Sequence, residues 1–336
     1  MTILKITRPF GRAFLVSFLL MTGIIFLCEL VLRVEAVKAL LPTPTLSKNQ
    51  LYPELDVKWE RLTEFSKKNK VNCFFLGSSM TDADLDPEIF TQNLVTSNGK
   101  KLTCFNFGLT GFKVEGTAVL ARVLYEKYNP NLILLGVSAV DFDPNSSDTR
   151  DVINTSWFQT MTTNFSLEGW LVEHSRAFRY LLTLPKLRNR DYVREVNMTE
   201  EVIRQDGFRD KLANVGIAGD QDDFRLKDYS INPYDLAALD EILSLQNANT
   251  SVVVIEMPVY PAFLPNYVDG GEEGYLRKFY EPLKKLLQER GFSLISTQNE
   301  IADKIRFEDW YNENHLNSSG AKFFSRWLVE KMAPTR

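Results

Sequence analysis

Val71-Asn72-Cys73-Phe74-Phe75-Leu76-Gly77-Ser78-Ser79-Met80 is the stretch that decides how this chain reads. Residues 71–76 form a short apolar run, and a turn of small residues follows. Such a run predicts a strand buried on both faces, as in a parallel sheet. Gly77 lets the chain turn sharply after it and leaves Ser79 exposed. That places Ser79 at the carboxyl end of the strand, in the crevice that open α/β sheets use for ligands.

The same alternation continues outward. Asp86 is set to cap a helix over 87–94, with Pro87 at its first position. Residues 102–107 read as a second strand. A helix over 115–128 follows, with Ala118, Leu120, Val123 and Leu124 at helical spacing. Strands are predicted over 132–137, 251–257 and 292–296, and helices over 277–287 and 319–332, the last capped by Ser318. Strands alternating with helices predict a doubly wound parallel five-stranded α/β sheet in the order 2-1-3-4-5. Residues 144–230 break the pattern, holding Trp157, Phe158, Phe165, Trp170, Phe178 and Tyr180 among many charges. They read as a helical insertion, either a cap over the strand ends or a subdomain with its own aromatic core.

Upstream, residues 13–32 are almost all apolar, about the length that crosses a bilayer core once. Lys5, Arg8 and Arg12 precede this run and no acid does, so the positive-inside rule places the N-terminus in the cytoplasm and the body outside. A cleaved signal peptide is the rival reading, although its apolar core is normally shorter. The expected organisation is a cytoplasmic N-terminus (1–12), a transmembrane anchor (13–33), a stem and a surface helix rich in Lys and Glu (34–70), and the α/β domain (71–336) with its insertion at 144–230.

The 336 residues are 44% hydrophobic and 24% charged, ordinary for a globular body, and the net charge is −4. That balance points away from a nucleic-acid partner, which needs a clustered basic surface. Three cysteines are too few for a disulfide framework or a zinc site, and Cys73 and Cys104 read as buried thiols in strands. No metal or cofactor is expected.

The chain has only two histidines, His174 and His315. His174 reads as a surface residue of an insertion helix. His315 precedes the final helix and, alone, reads as a packing or capping residue. Gly-Ser-Ser alone reads as a turn whose serines cap the next helix. Asp141 and Asp143 follow the third strand and read as turn residues at the cleft edge. Gly-x-Ser-x-Gly is absent, so the nucleophile elbow of α/β-hydrolases does not apply.

Taken together, these segments resemble the SGNH (GDSL-type) hydrolases. Phe75-Leu76-Gly77-Ser78-Ser79-Met80 is similar to the Gly-Asp-Ser block, with Ser78 at the Asp position, and membrane-anchored members acting on envelope polymers also carry Gly-Ser-Ser. Asn106-Phe107-Gly108-Leu109-Thr110-Gly111 resembles the block whose glycine amide joins the oxyanion hole, Gly111 being the better match. Asn312-Glu313-Asn314-His315 resembles the Asp-x-x-His block. The resemblance covers roughly 71–141 and 251–332. It implies a membrane-anchored serine O-acyl esterase or acyltransferase acting on an envelope glycan or lipid, with Ser79 as nucleophile and His315 as base. It also implies two other readings: a non-catalytic binding or assembly protein, and a subunit working with a membrane acyl-transfer partner. Two positions depart from the pattern. Ser138 stands where an Asn usually donates to the oxyanion, and Asn312 stands at the triad aspartate. Asn312 through its amide oxygen, Asp309 or Glu313 swinging in, or a backbone carbonyl behind a Ser–His dyad are the open ways to orient the histidine.

Overall fold

In the computed structural model of the chain, the described residues are 8–49, 51–95, 99, 101–145, 149–162, 164–211 and 225–333. Lys5 and residues 212–224 of the insertion lie outside them. Five strands form one parallel sheet: β1 (Cys73–Leu76), β2 (Cys104–Asn106), β3 (Leu132–Val137), β4 (Ser251–Glu256) and β5 (Leu294–Ile295). Their order is β2-β1-β3-β4-β5, as the alternation predicts. Every residue of β1, β2 and β3 is buried, which is why β1 and β3 read as unbroken apolar runs.

The helices that matter for the site are α1 (Arg8–Val31), α2 (Pro53–Lys68), α3 (Ser79–Asp84), α4 (Pro87–Asn93), α5 (Val114–Tyr128), α6 (Ser156–Thr162), α7 (Leu167–His174), α8 (Arg176–Thr183), α9 (Arg190–Val202), α10 (Pro233–Leu243), α11 (Glu281–Glu289) and α12 (Ser318–Met332). Asp86 caps α4 by accepting from the Glu88 amide. The cap of α12 is Asn317, not Ser318: its side chain accepts from the Ser319 and Gly320 amides. An Asn one residue upstream fits the same role, so sequence alone misplaced it by one.

Within α1, Ala13–Val31 is long and apolar enough to cross a membrane, and none of it is buried in the body. Its C-terminal end meets the insertion. Glu29 accepts from the Ser175 hydroxyl at 3.0 Å and the Ala177 amide at 2.9 Å, so it caps the start of α8.

The stem packs on the body: Thr43, Thr45 and Leu46 are buried, and Leu46 N donates to Asp56 at 2.7 Å. However, α2 is not the expected surface helix, because Glu54, Leu55, Lys58, Trp59 and Leu62 are all buried. The spacing Leu55, Lys58, Leu62 puts the lysine on the inward stripe, a signal hidden by the many charges around it. The insertion's aromatics divide: Trp157 and Phe158 join the main core, Trp157 packing edge-on to Trp59 at 4.6 Å, whereas Phe165 and Trp170 are exposed.

Cys73 and Cys104 are disulfide-bonded, not free thiols. They are paired in the parallel register of β1 and β2, with Cα atoms 4.3 Å apart. A separation of 31 residues in sequence carries no hint of that register. Closing such a loop removes denatured-state entropy, so replacing both cysteines by alanine is expected to lower stability by about 2–4 kcal/mol in urea unfolding of the full chain. An unchanged midpoint would show that the bridge contributes nothing.

Candidate active site

β1 delivers the chain to Gly77, whose φ is 144°. A Cβ there would lie 2.3 Å from Thr81 Oγ1 and 2.5 Å from the Gly136 carbonyl. Only glycine lets the chain turn this tightly against β3, and the turn makes Ser79 the first residue of α3. Gly108 has a similar reason. A Cβ on it would meet the Asp82 amide at 2.5 Å, and its own N–H donates to Asn106 Oδ1.

A small antiparallel hairpin, β6 (Trp310–Asn312) and β7 (His315–Leu316), brings up the histidine. Its pairing sets Asn312 opposite His315. His315 Nε2 lies 2.8 Å from Ser79 Oγ, and His315 Nδ1 lies 2.8 Å from Asn312 Oδ1. The Asn314 backbone N–H also donates to Asn312 Oδ1 at 3.3 Å, which identifies that atom as the amide oxygen. An acceptor facing Nδ1 puts the ring proton there. Nε2 is then free of hydrogen and accepts from the Ser79 hydroxyl. Leu316 N donates to Asp84 at 2.8 Å, tying the hairpin to the far end of α3.

The other sequence-derived residues are placed as follows. Asp309 is bound to Arg306, whose Nε donates to it at 2.8 Å, and the partner of His315 Nδ1 is Asn312. Ser138 is buried, and its hydroxyl and amide both donate to Asp141, at 2.9 and 2.7 Å. The Ser78 hydroxyl bonds the same carboxylate, so Asp141 joins the ends of β1 and β3; burial pushes it up to about 6 against those hydrogen bonds. Gly111 is exposed at φ 68°, after Thr110, whose N–H donates to Glu54 at 3.0 Å. His174 is exposed and stacks on Trp170, away from Ser79. Among the described residues no cluster of His, Cys, Asp and Glu fits a metal ion.

Sequence reasoning missed the charges under and beside the pair. Asp82 accepts from Lys58 of α2 and from Arg209 of the insertion. Arg209 also pairs with Glu54 at 2.8 Å. Burial and the Lys211 and Arg209 charges hold His315 well below the ordinary imidazole value of 6.5, and Asp82 opposes them only in part.

The fold and this site define an α/β protein with a 2-1-3-4-5 parallel sheet, a serine after the first strand, and a histidine brought up before the last helix. No protein-family profile and no curated protein matches the chain. Among solved structures it is similar to a lipase/acylhydrolase from Enterococcus faecalis, with 11% identity over 78% of this chain and 95% of the other and a TM-score of 0.37. It is also similar to a catalytic mutant of Axe2, an acetylxylan esterase from Geobacillus stearothermophilus, with 11% identity, coverage of 78% and 94%, and a TM-score of 0.37. A family 3 carbohydrate esterase from Clostridium thermocellum matches with 10% identity, coverage of 79% and 99%, and a TM-score of 0.35.

A histidine acts as base only when neutral. Since burial and Lys211 lower its protonation, labelling of Ser79 by a neutral fluorophosphonate is expected to keep its plateau below pH 6.5 and to fall only at lower pH. A midpoint at or above 6.5 in the labelling rate contradicts this electrostatic account.

Proposed function

We propose that this chain is a membrane-anchored serine O-acyl esterase or acyltransferase acting on an envelope glycan or lipid. The observation that carries the reading is the relay Ser79 Oγ to His315 Nε2 and His315 Nδ1 to Asn312 Oδ1, both at 2.8 Å. Ser79 Oγ attacks the ester carbonyl while its proton passes to His315 Nε2. The bond from the acyl carbon to the alcohol oxygen then breaks, and His315 returns the proton to the departing alkoxide. Water or a second hydroxyl takes the acyl group from Ser79 by the reverse exchange. The Ser79 amide opens α3 and so lacks a helical acceptor, which suits it to hold the oxyanion together with Gly111. Ser138, engaged by Asp141, is the weaker third donor.

The apolar helix and the disulfide support a body outside the cytoplasm, because disulfides persist in oxidising compartments. A non-catalytic binding or assembly role is the second reading. It is favoured by one observation, the neutral Asn312 behind the histidine. In serine proteases, exchanging that carboxylate for an amide costs about 10⁴ in kcat.

The test is fluorophosphonate labelling of the full chain in detergent. Labelling is expected in the wild type and expected to vanish in Ser79→Ala and His315→Ala. Asn312→Asp restores a charge that favours imidazolium. It is expected to raise the labelling rate at least about tenfold and to move its acid limb upward in pH. A folded wild-type chain that takes no label favours the binding role.

A further inference from the structure

We propose that Lys211 forms an anion-binding subsite beside Ser79 and His315, so that the preferred ester carries a carboxylate or phosphate on its alcohol side; this rests on the acyl-transfer reading above. The insertion's segment around Lys211 lies between the nucleophile's helix and the helix after His315. Arg209 N donates to the Asp82 carbonyl at 3.2 Å, and Ser318 N donates to the Lys211 carbonyl at 2.6 Å. The Lys211 ammonium sits over the ring of Tyr311, 4.6 Å from its centroid, next in sequence to Asn312.

What distinguishes Lys211 among the described residues is that no carboxylate holds its ammonium in an ion pair. Lys58 and Arg209 both hold Asp82, and Arg209 also holds Glu54. Among the described residues the Lys211 ammonium makes no ion pair and no hydrogen bond, only the contact with Tyr311. The acid nearest in its electrostatic field is Asp84, which already accepts from the Leu316 amide. Burial raises Asp84 well above the usual carboxylate range, as it lowers Lys211.

The charged groups acting on His315 are Lys211 and Arg209 from the insertion and Asp82 from α3, with Asp84 reaching its hairpin through Leu316 and Glu313 in the hairpin itself. Lys211 therefore weakens a base that already lacks a triad carboxylate. A partly buried cation without a partner also carries a desolvation penalty. An anion on the substrate removes both. It pairs with Lys211, and its charge raises the basicity of His315 in the complex, in the role an aspartate plays elsewhere. Lys211 stands beside the group that protonates the leaving oxygen, which puts the anion on the alcohol side.

The full chain in detergent is assayed with phenyl acetate, 3-acetoxybenzoate and 3-acetoxyphenyl phosphate, reading the phenol released. At least one anionic ester is expected to exceed phenyl acetate about tenfold in kcat/KM, and the two arms separate a carboxylate from a phosphate. Lys211→Met is expected to remove that preference, mostly through KM, and Lys211→Arg to retain it. In the wild type the acid limb of kcat is expected at higher pH with 3-acetoxybenzoate than with phenyl acetate. Equal kcat/KM for all three esters in the wild type overturns the inference alone, as does an unchanged preference in a natively folded Lys211→Met. Absence of both turnover and labelling in the wild type overturns the acyl-transfer reading and the inference with it.

Discussion

The site depends on one buried carboxylate. Asp82 lies three residues after Ser79 and is fully enclosed. It binds Lys58 from the helix before the sheet and Arg209 from the insertion after β3. Lys58 also donates to the carbonyls of Asn106, the last residue of β2, and of Gly108 just after it. Burial alone would raise Asp82, but Arg209 and Lys58 outweigh it and hold the carboxyl below its usual range. Removing one member of such a network leaves an uncompensated buried charge, at a cost of about 3–5 kcal/mol. Four pieces of chain distant in sequence thus share one electrostatic centre beside Ser79.

Above that centre the site combines good geometry with weak electrostatics. Asn312 does half of what a triad carboxylate does: its amide oxygen fixes the tautomer and the ring orientation, but it brings no charge to stabilise imidazolium. Neighbouring cations and burial shift the balance further toward neutral histidine. The third strand behaves similarly. Its serine is positioned by Asp141, and the same carboxylate fixes Ser78 at the end of β1. Asp141 therefore stiffens the turn that presents Ser79 while drawing the Ser138 hydroxyl toward itself.

Much of this was legible early. Short runs such as 132–137 are apolar throughout because both faces of a parallel sheet are covered, so composition reports their burial directly. Ser79 and His315 were visible because small-residue turns at strand ends and a scarce histidine stand out locally. Lys58 was misread because a helix crowded with charges looks exposed unless its inward stripe is traced residue by residue. Asp309 competed with Asn312 on sequence alone; Arg306, three residues away, engages it, and hairpin pairing selects Asn312.

The sequence by itself determined the parallel α/β alternation and the apolar N-terminal helix, and it marked Ser79 and His315 as candidates. Each of these is written in local periodicity, turn chemistry or residue type, which act over a few neighbours. Only the tertiary structure decided the Cys73–Cys104 bond, the clamp on Asp82, and the placing of Lys211 over Tyr311 in the hairpin that carries the histidine. Those depend on strand register and on how a long insertion folds back over the sheet. Electrostatic and covalent partners are set by distance in space, and separation along the chain carries no information about it.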